Sequence, residues 1–532
     1  MSFFGFCAQR GAPCMSRFAP LALLLVAACA GSNGALAPPP PTAFSSVATT
    51  EMFLAGYDSI QEYFIDPVKL SDVTTKGLNG LKSLEPSLAV ERRSNLIEVA
   101  VGSSVVGTFP APREDDTTAW ARLTTSAIVA GRDSSNALAD SRPERIYKAV
   151  FDAALSSLDR FSRYATAEAA NDNRAARDGF GGIGVTLARE DDPRRIAAVL
   201  ENTPAARAGL IVDDVFTHVD GQELGGMELN DLVRRLRGPV DSTLSVTVRR
   251  KDRNITVSLQ RAFIVPPTVT YRREGDAAYF KLASFNQRTA QTLREHFNVA
   301  RTEIGPRLNG VILDLRGNPG GLLDQAVSVS NLFVSDGEIV SIRGRHPNSR
   351  QHFDARRDDI TRGLPLIVLV DHHSASAAEI VAAALQDSGR ALVIGTRSYG
   401  KGTVQTVQRM PNGGEMTLTW ARFYAPTGYP LQDFGVMPTV CTSFAGADSR
   451  MLMSAIRSSA PRVSDGTPRQ QRMIPVDTAV REKLGKGCPA RSGGGELEIQ
   501  VARQLLEDPP LFARAMTLRL GDLTPEVAAA TH

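Results

Sequence analysis

The second half of the chain alternates between short apolar runs and stretches in which apolar residues recur every three or four positions. One of the runs, 366–370, has the continuous apolar character of a strand buried on both faces of a mostly parallel sheet, and 311–313 begins another predicted strand. Ahead of 311–313, the apolar residues of 293–300 fall on one face of a predicted helix. This alternation predicts a βα-rich core over residues 264–440.

The pattern differs on both sides of this core. Residues 51–177 predict mainly helices, because apolar side chains recur at helical spacing in segments such as 53–64. Residues 178–263 predict a small β-rich domain with one or two helices. Residues 441–532 predict a variable, partly helical tail, in which 497–506 is the clearest helix.

A serine stands at one of the predicted strand-to-helix junctions. The strand 366–370 runs into small residues and then into 377–385, where alanine, leucine and glutamate favour a helix. Ser376 directly precedes that helix, close to backbone N–H groups and to the positive end of the helix dipole. These groups would stabilise an oxyanion that forms beside the serine, so the position suits a nucleophile. Taken alone, Ser374 or Ser376 is also an ordinary helix N-cap.

A lysine between two glycines follows twenty-five residues after Ser376. Gly400 and Gly402 allow a tight turn, so that Lys401 can point into the interior. A buried ammonium group loses hydration and its pKa falls, and the neutral amine can then act as a general base toward a serine. Taken alone, a lysine between glycines is ordinarily a solvated turn residue.

Four features together resemble the C-terminal processing peptidases, also called tail-specific proteases, which are serine peptidases with a serine–lysine pair. They are the SASAAE motif around Ser376, the spacing to the lysine of GKG, Gln405 four residues further on, and VILDLRGNPGG at 311–321. The resemblance covers roughly residues 145–440 well and 50–83 loosely. Residues 84–143 fit it poorly and are interpreted as an insertion, with an exposed loop at 109–116.

The resemblance also implies a fold and a set of roles. The implied fold is an α/β multidomain chain with a helical N-terminal region, a PDZ-like domain and a catalytic core like the ββα spiral of crotonases and Clp peptidases. The implied roles are nucleophile for Ser376, general base for Lys401, a lysine-holding hydrogen bond for Gln405, and an oxyanion hole from the N–H groups of Ala377 and either Gly320 or Gly321. Asp314 is expected to anchor its loop rather than to act as an acid.

The β-rich domain resembles a PDZ domain, which binds a peptide tail as an added strand. The terminal carboxylate would meet the N–H groups of the glycine loop at Gly182, Ile183 and Gly184, and the tail would pair with the strand that continues through Val185. A PDZ-like module that serves only as a lid or spacer is the alternative. No P-loop lysine follows the glycines, which argues against nucleotide binding.

Other chemistries are less well supported. His372 and His373 lie on the same segment as Ser376, whereas a Ser–His triad needs groups that converge from separate segments. The 7 histidines show no ligand spacing, so neither a metal nor a cofactor is expected. A catalytically silent PDZ scaffold is disfavoured by the intact Ser–Lys–Gln set, and a crotonase-type acyl-CoA enzyme by the PDZ-like segment and the export signal.

Composition adds little, but the N-terminus predicts export. The length of 532 residues allows two to four domains, and a net charge of +3 without a basic patch gives no sign of nucleic-acid binding. The apolar run 21–26 follows Arg17 and is too short to span a bilayer, so residues 1–28 are interpreted as a signal peptide.

The sequence Val26-Ala27-Ala28-Cys29 resembles a bacterial lipobox, which implies lipidation of Cys29. Residues 29–50 would then form a tether to the membrane. The expected location is the periplasmic side of the bacterial cell envelope. Ordinary cleavage near Ala28 or Ala37, with a free Cys29, is the alternative.

Two cysteines remain in the body of the protein if Cys29 is lipidated. In an oxidising compartment Cys441 and Cys488 are expected to form a disulfide, and two buried free thiols are the alternative. Taken together, the sequence predicts an exported serine endopeptidase that acts on proteins or peptides with free C-termini.

Overall fold

The computed structural model describes residues 43–188, 192–356, 359–443, 447–459, 478–492 and 495–518. Within these ranges, no helix is both long enough and apolar enough to cross a membrane. The signal peptide and Cys29 lie outside the described residues.

Among the described residues, the helices lie mainly in the N-terminal region, in the C-terminal tail and around the βα-rich core. They are α1 (Ser46–Tyr63), α2 (Leu70–Asn79), α3 (Thr117–Ser134), α4 (Asn136–Ala139), α5 (Pro143–Ser156), α6 (Ala167–Asp178), α7 (Pro204–Arg207), α8 (Leu229–Leu236), α9 (Thr289–Ile304), α10 (Leu323–Ser330), α11 (Ala377–Asp387), α12 (Ser449–Ser458), α13 (Thr478–Gly487), α14 (Leu497–Glu507) and α15 (Pro509–Ala515).

The strands form several separate sheets. They are β1 (Leu88–Arg93), β2 (Leu96–Val101), β3 (Ser104–Pro110), β4 (Arg163–Ala165), β5 (Phe180–Gly182), β6 (Val185–Leu187), β7 (Ile196–Val199), β8 (Val215–Val219), β9 (Gln222–Glu223), β10 (Thr243–Arg250), β11 (Arg253–Gln260), β12 (Ala262–Ile264), β13 (Val269–Glu274), β14 (Ala277–Leu282), β15 (Gly310–Asp314), β16 (Glu338–Gly344), β17 (Gln351–Asp354), β18 (Leu366–Val370), β19 (Leu392–Gly395), β20 (Thr403–Arg409), β21 (Glu415–Tyr424) and β22 (Val440–Cys441).

The N-terminal region packs helices α1 to α5 and a small sheet around large aromatic side chains. Phe53, Tyr57, Trp120 and Phe151 are at most 1% exposed, and they join α1, α3 and α5 in one apolar core. Helix α1 begins at a side-chain cap, since Ser45 accepts the N–H of Ala48. The helical region predicted from apolar spacing is therefore present.

A three-stranded antiparallel sheet, β1-β2-β3, departs from the mainly helical prediction for this region. It occupies most of the first half of the stretch that was interpreted as an insertion. Its sequence does alternate, with Val90, Ile97 and Val99 buried on one face. The predicted loop at 109–116 begins within β3 and is held in place, because Glu114 accepts bonds from α1 and α2.

The β-rich domain has its own core. Strands β11-β10-β8-β9 form one antiparallel sheet, and the pairs β5–β12 and β6–β7 form two ribbons beside it. Helix α8 buries Leu232 and Leu236 against Phe216 and the sheet residues Leu244 and Val246. Strand β6 has β7 on one side, and the groove between β6 and α8 lies on the other.

The βα-rich core of residues 264–440 is built on a six-stranded sheet of order β13-β14-β15-β18-β19-β22. All its neighbouring strands from β14 to β22 run parallel, so their carboxyl ends meet at one edge. Every residue of β15, β18 and β19 is buried, because α9, α10 and α11 pack with this sheet in a single apolar core. A second sheet, β17-β16-β21-β20, carries β4 beside β21.

Helix α6 is joined by ion pairs to elements on both sides. Asp172 pairs with Arg237, the residue that follows α8, at 2.7 Å. On the other side, the buried carboxylate of Glu415 in β21 pairs with Arg174 at 2.9 Å and Arg177 at 3.3 Å. The helix therefore connects the β-rich domain to the second sheet of the core.

The C-terminal tail packs on the core as helices α12, α14 and α15, whose apolar side chains belong to the core cluster of the main sheet. A disulfide joins Cys441, at the end of β22, to Cys488 directly after α13. Closing a loop with the observed sequence separation of 47 residues stabilises the fold by about 4 kcal/mol in the chain-entropy model.

Candidate active site

Ser376 lies between the carboxyl end of β18 and the first residue of α11, where the sequence predicts it. Its backbone angles are φ 55° and ψ −117°. For a residue with a side chain this region is strained, and such strain persists only where the surrounding structure imposes it. A nucleophile held on a sharp strand-to-helix turn has this geometry.

The neighbouring Ser374 has a different role. Its hydroxyl donates to the carbonyl oxygen of Leu315 at 2.9 Å, and it accepts the N–H of Asp371 at 2.9 Å. Ser374 is fully buried, so it fastens the end of β18 to the end of β15. Of the two serines, only Ser376 lines the cavity described below.

A buried carboxylate, Glu379, joins the serine segment to the lysine segment. One of its oxygens accepts the N–H of Ser376 at 2.8 Å and that of Lys401 at 2.9 Å. The other oxygen accepts the N–H of Gly400 at 2.6 Å and the hydroxyl of Ser398 at 2.5 Å. Burial raises the pKa of Glu379, and these hydrogen bonds oppose that rise.

Lys401 stands in a tight turn that its glycines make possible. Gly400 has a φ of +84°, and a side chain on Gly402 would lie 2.0 Å from the backbone nitrogen of Gln432. Burial, together with the positive charge of Arg163, lowers the pKa of Lys401 to about 8, although Glu379 and Asp159 act in the opposite direction. A substantial fraction of this amine is therefore neutral near pH 8.

The glycine loop after β15 lies against the serine. A side chain on Gly320 would come within 2.8 Å of the Ser376 Cβ atom and 3.0 Å of the Ala377 nitrogen, so only glycine fits there. The N–H of Gly320 donates to the Asn318 side chain at 2.8 Å. The N–H groups of Gly321 and Ala377 donate to no acceptor among the described residues.

The loop itself is anchored as expected by Asp314. Its buried carboxylate accepts the Nε and Nη2 groups on one edge of the Arg316 guanidinium, at 3.0 and 2.7 Å, and the Lys281 ammonium at 3.2 Å. Burial by itself would raise the pKa of Asp314, but the bonds from Arg316 outweigh it and hold the pKa below its usual value. An acid that stays ionised does not supply a proton, which agrees with an anchoring role.

One cavity of about 430 Å³ brings the predicted catalytic residues together. Its lining includes Ser376, Ala377, Lys401, Gln405, Gly320 and Gly321. The amide nitrogen of Gln405 donates to the Thr403 hydroxyl at 2.8 Å, so its predicted bond to the lysine stays a prediction. The lysine nitrogen lies 5.4 Å from the centre of the Phe161 ring.

A second cavity, of about 480 Å³, lies between β6 and α8. The predicted peptide-binding residues Gly182, Ile183, Gly184 and Val185 all line it, together with apolar side chains of α8 such as Val233. Ile183 is only 2% exposed, because most of its side chain belongs to the core of the domain. Helix α6 contributes Asp172 to this groove and Arg177 to the catalytic cavity.

Two contributions to the site do not follow from the sequence reasoning. Glu379 is part of the SASAAE motif, yet its position in an alanine-rich helix indicates only a good helix former. Its link to Lys401 appears only after folding. Arg163 and Asp159, which shift the pKa of Lys401, precede it by more than two hundred residues and carry no local signal.

Family models match two parts of the chain. A model of peptidase family S41 matches residues 276–442, and a model of the PDZ domain matches residues 195–250. The first range contains the whole catalytic cavity except the residues of β4 and α6.

Curated relatives extend the match. The carboxy-terminal-processing protease of Bartonella bacilliformis is 40% identical over 301 residues, which make up 56% of this chain and 69% of that protein. A probable CtpA-like serine protease of Staphylococcus aureus is 29% identical over 301 residues, and the match spans 60% of its length.

Solved structures of C-terminal processing proteases are also similar to this chain. The photosystem II D1 C-terminal processing protease is 24% identical, with a TM-score of 0.37 and coverage of 75% of this chain and 93% of that chain. The PDZ domain of a carboxy-terminal protease from Vibrio cholerae, solved in complex with a peptide, is 28% identical, with a TM-score of 0.15 over 16% of this chain. At these TM-scores, the family assignment rests on the sequence matches.

Proposed function

Because the chain belongs to the carboxy-terminal-processing proteases of peptidase family S41, and is therefore a serine-type hydrolase with a PDZ domain, we propose that it cuts proteins near their C-termini through Ser376 and Lys401. The observation that carries this proposal is the single cavity lined by Ser376, Lys401 and the Gly320–Gly321 loop. The substrates would be proteins or peptides with free, accessible C-termini.

In the proposed reaction, the Ser376 hydroxyl oxygen attacks the carbonyl carbon of the scissile peptide bond, and its proton passes to the neutral amine of Lys401. The tetrahedral intermediate then collapses: the C–N bond breaks, and Lys401 returns the proton to the leaving amine. Water attacks the acyl-enzyme in the same way, with Lys401 again taking and returning a proton. No cofactor is needed for either half of the reaction.

The oxyanion of the intermediate would be held by the N–H groups of Ala377 and Gly321. Of the two glycines that the sequence leaves open, Gly321 is the better candidate, because Gly320 already donates its N–H to Asn318. Donors that are fixed before the reaction stabilise the developing charge without reorganising, which is commonly the largest contribution to catalysis.

Substrate choice is proposed to depend on the groove between β6 and α8. A peptide tail would pair with β6, place its carboxylate at the N–H groups of the Gly182–Gly184 loop, and bury its last side chain against α8. We expect peptides ending in free alanine or valine to be cut about tenfold to a hundredfold faster, in kcat/KM, than the same peptides ending in aspartate or an amide. An amide lacks the charge that the loop would bind, and a terminal aspartate would bring its charged side chain against the apolar face of α8.

Cleavage assays on one peptide series that differs only at its last residue measure this preference. The control is a peptide with the same sequence around the scissile bond and several additional residues at its C-terminus. It shows whether the last residue acts through the scissile bond itself. Equal rates across the series would contradict tail recognition, and the PDZ domain would then be a lid or spacer.

We also propose that the protein is exported and lipidated on Cys29. The support is the lipobox-like sequence before Cys29 and the disulfide between Cys441 and Cys488, since disulfides persist in oxidising compartments. Cells fed an alkyne-tagged fatty acid are expected to label the wild-type protein and not Cys29→Ser. Equal labelling of both proteins would contradict lipidation at this residue, and mature protein starting after Ala28 or Ala37 without lipid would support ordinary cleavage.

A further inference from the structure

The C-terminal tail contacts the loops that carry the proposed catalytic groups. We call residues 488–492 and 495–498 the tail brace. The three loops follow β15, β18 and β19, and they carry the glycine pair, Ser376 and Lys401 respectively. Loops beyond the end of a sheet are not fixed by ladder hydrogen bonds, so their positions depend on contacts of other kinds.

Backbone atoms of the brace bond to two of these loops. The carbonyl oxygen of Arg491 accepts the N–H of His372 at 3.1 Å and the hydroxyl of Thr396 at 2.8 Å. His372 lies four residues before the nucleophile, and Thr396 directly follows β19 on the way to the lysine. Ser492 adds a side-chain hydrogen bond to the His373 ring at 3.0 Å.

The brace contacts the third loop, the one after β15, through buried charged side chains. The Arg316 guanidinium donates to the Gly495 carbonyl oxygen at 2.9 Å and to a carboxylate oxygen of Glu498 at 3.0 Å. The other Glu498 oxygen accepts the Thr442 hydroxyl at 2.8 Å, beside the disulfide at Cys441. Arg316 and Glu498 are 5% and 6% exposed, so neither charge is solvated enough to stand alone.

The charges of this network balance only when the brace is present. Lys281 and Arg316 contribute two positive charges, and Asp314 and Glu498 contribute two negative ones. Without Glu498 the guanidinium would keep its bonds to Asp314 and to the Gly495 carbonyl oxygen but lose its charged partner on the tail side. Arg316 begins the loop that ends in Gly320 and Gly321, so a shift of its guanidinium would move the proposed oxyanion donor.

We propose that the tail brace positions the active site, and that Glu498 is the positioning residue that holds the glycine loop through Arg316. This inference rests on the proposed roles of Ser376 and Gly321. Glu498 does not touch substrate; it sets the distance between the serine and the oxyanion donor. Misplacing such a group by about 1 Å can cost a hundredfold in rate.

The test compares Glu498→Ala, Glu498→Gln and a stability control in the full-length protein. Leu505→Ala is the control, because Leu505 is fully buried on the same helix, α14, and belongs to the apolar core. Each protein is assayed on one peptide for kcat and KM, for inactivation by diisopropyl fluorophosphate, whose phosphoryl oxygen would occupy the same oxyanion hole, and for melting temperature.

We expect Glu498→Ala to lower kcat and the inactivation rate about tenfold to a hundredfold, with KM changed less than about threefold. Glu498→Gln, which keeps an acceptor for Arg316, should recover a large part of the loss, and the midpoint of the pH–rate profile should not move in either variant. Leu505→Ala should lower the melting temperature at least as much and leave kcat within about twofold.

If kcat falls in proportion to the melting temperature in both Glu498→Ala and Leu505→Ala, the brace is overturned. An unchanged kcat in Glu498→Ala would overturn it as well. If Glu498→Ala does not fold, Glu498→Gln decides: because its amide is neutral, we expect it to keep a residual kcat loss of about threefold at unchanged melting temperature, and a wild-type kcat would overturn the brace. Ser376→Ala separates the two proposals: turnover by it would contradict the proposed function, whereas an inactive Ser376→Ala beside a fully active Glu498→Ala would overturn the brace alone.

Discussion

Ser376→Ala and Lys401→Ala are each expected to lower kcat by about 10⁴–10⁶-fold, and the double variant is expected to be no slower than either single one. The losses do not add, because a serine without its base and a base without its serine both fail at the same proton transfer. Lys401→Arg should fail as well, because a guanidinium group stays protonated and cannot act as a base.

Steady-state assays with an unfolded protein substrate measure these losses, and Ser374→Ala is the matched control. That variant removes a buried hydroxyl two residues away, which should cost about 1–3 kcal/mol of folding free energy while keeping kcat within about tenfold. Full activity of Lys401→Ala would refute the Ser–Lys mechanism. Loss of wild-type activity on adding a chelator would refute it too.

The second large effect expected is a rise of kcat/KM with pH, by about a hundredfold between pH 6 and pH 9. Only the neutral amine of Lys401 can accept the proton, and its pKa is lowered to about 8, so activity is lost as pH falls below that value and levels off above it. A lysine at its ordinary pKa of 10.5 would still be gaining activity at pH 9.

Two substitutions with opposite effects sharpen this test. Arg163→Gln removes a positive charge that lowers the pKa of Lys401, so the midpoint should move to higher pH. Asp159→Asn removes a negative charge that raises the same pKa, so the midpoint should move to lower pH. Asparagine keeps an oxygen to accept the N–H groups of Phe161 and Ser162, which makes it a conservative change. Midpoints that move together, or not at all, would show that another group sets the profile.

The catalytic core could be predicted from sequence because its signals are local. Continuous apolar runs specify β15, β18 and β19, since only strands buried on both faces tolerate them. The position of Ser376 follows from the strand and helix around it, and the GKG turn follows from the freedom of glycine. The sheet β1–β3 was not predicted. Its strands do alternate between apolar and polar residues, but each strand is shorter than the helical segments on either side.

By itself, the sequence determined which residues are proposed to carry the chemistry, because a candidate nucleophile, a candidate base and a glycine loop are recognised by residue type and local backbone. Only the tertiary structure decided how they are held. Glu379 accepts the N–H groups of both Ser376 and Lys401. Gly320 donates its N–H to Asn318, and Glu498, near the end of the chain, accepts a bond from Arg316. These contacts join residues far apart in the chain, and they depend on buried charges whose partners no local pattern reveals. The pKa of Lys401 has the same origin, since burial and the charge of Arg163 exist only in the folded protein.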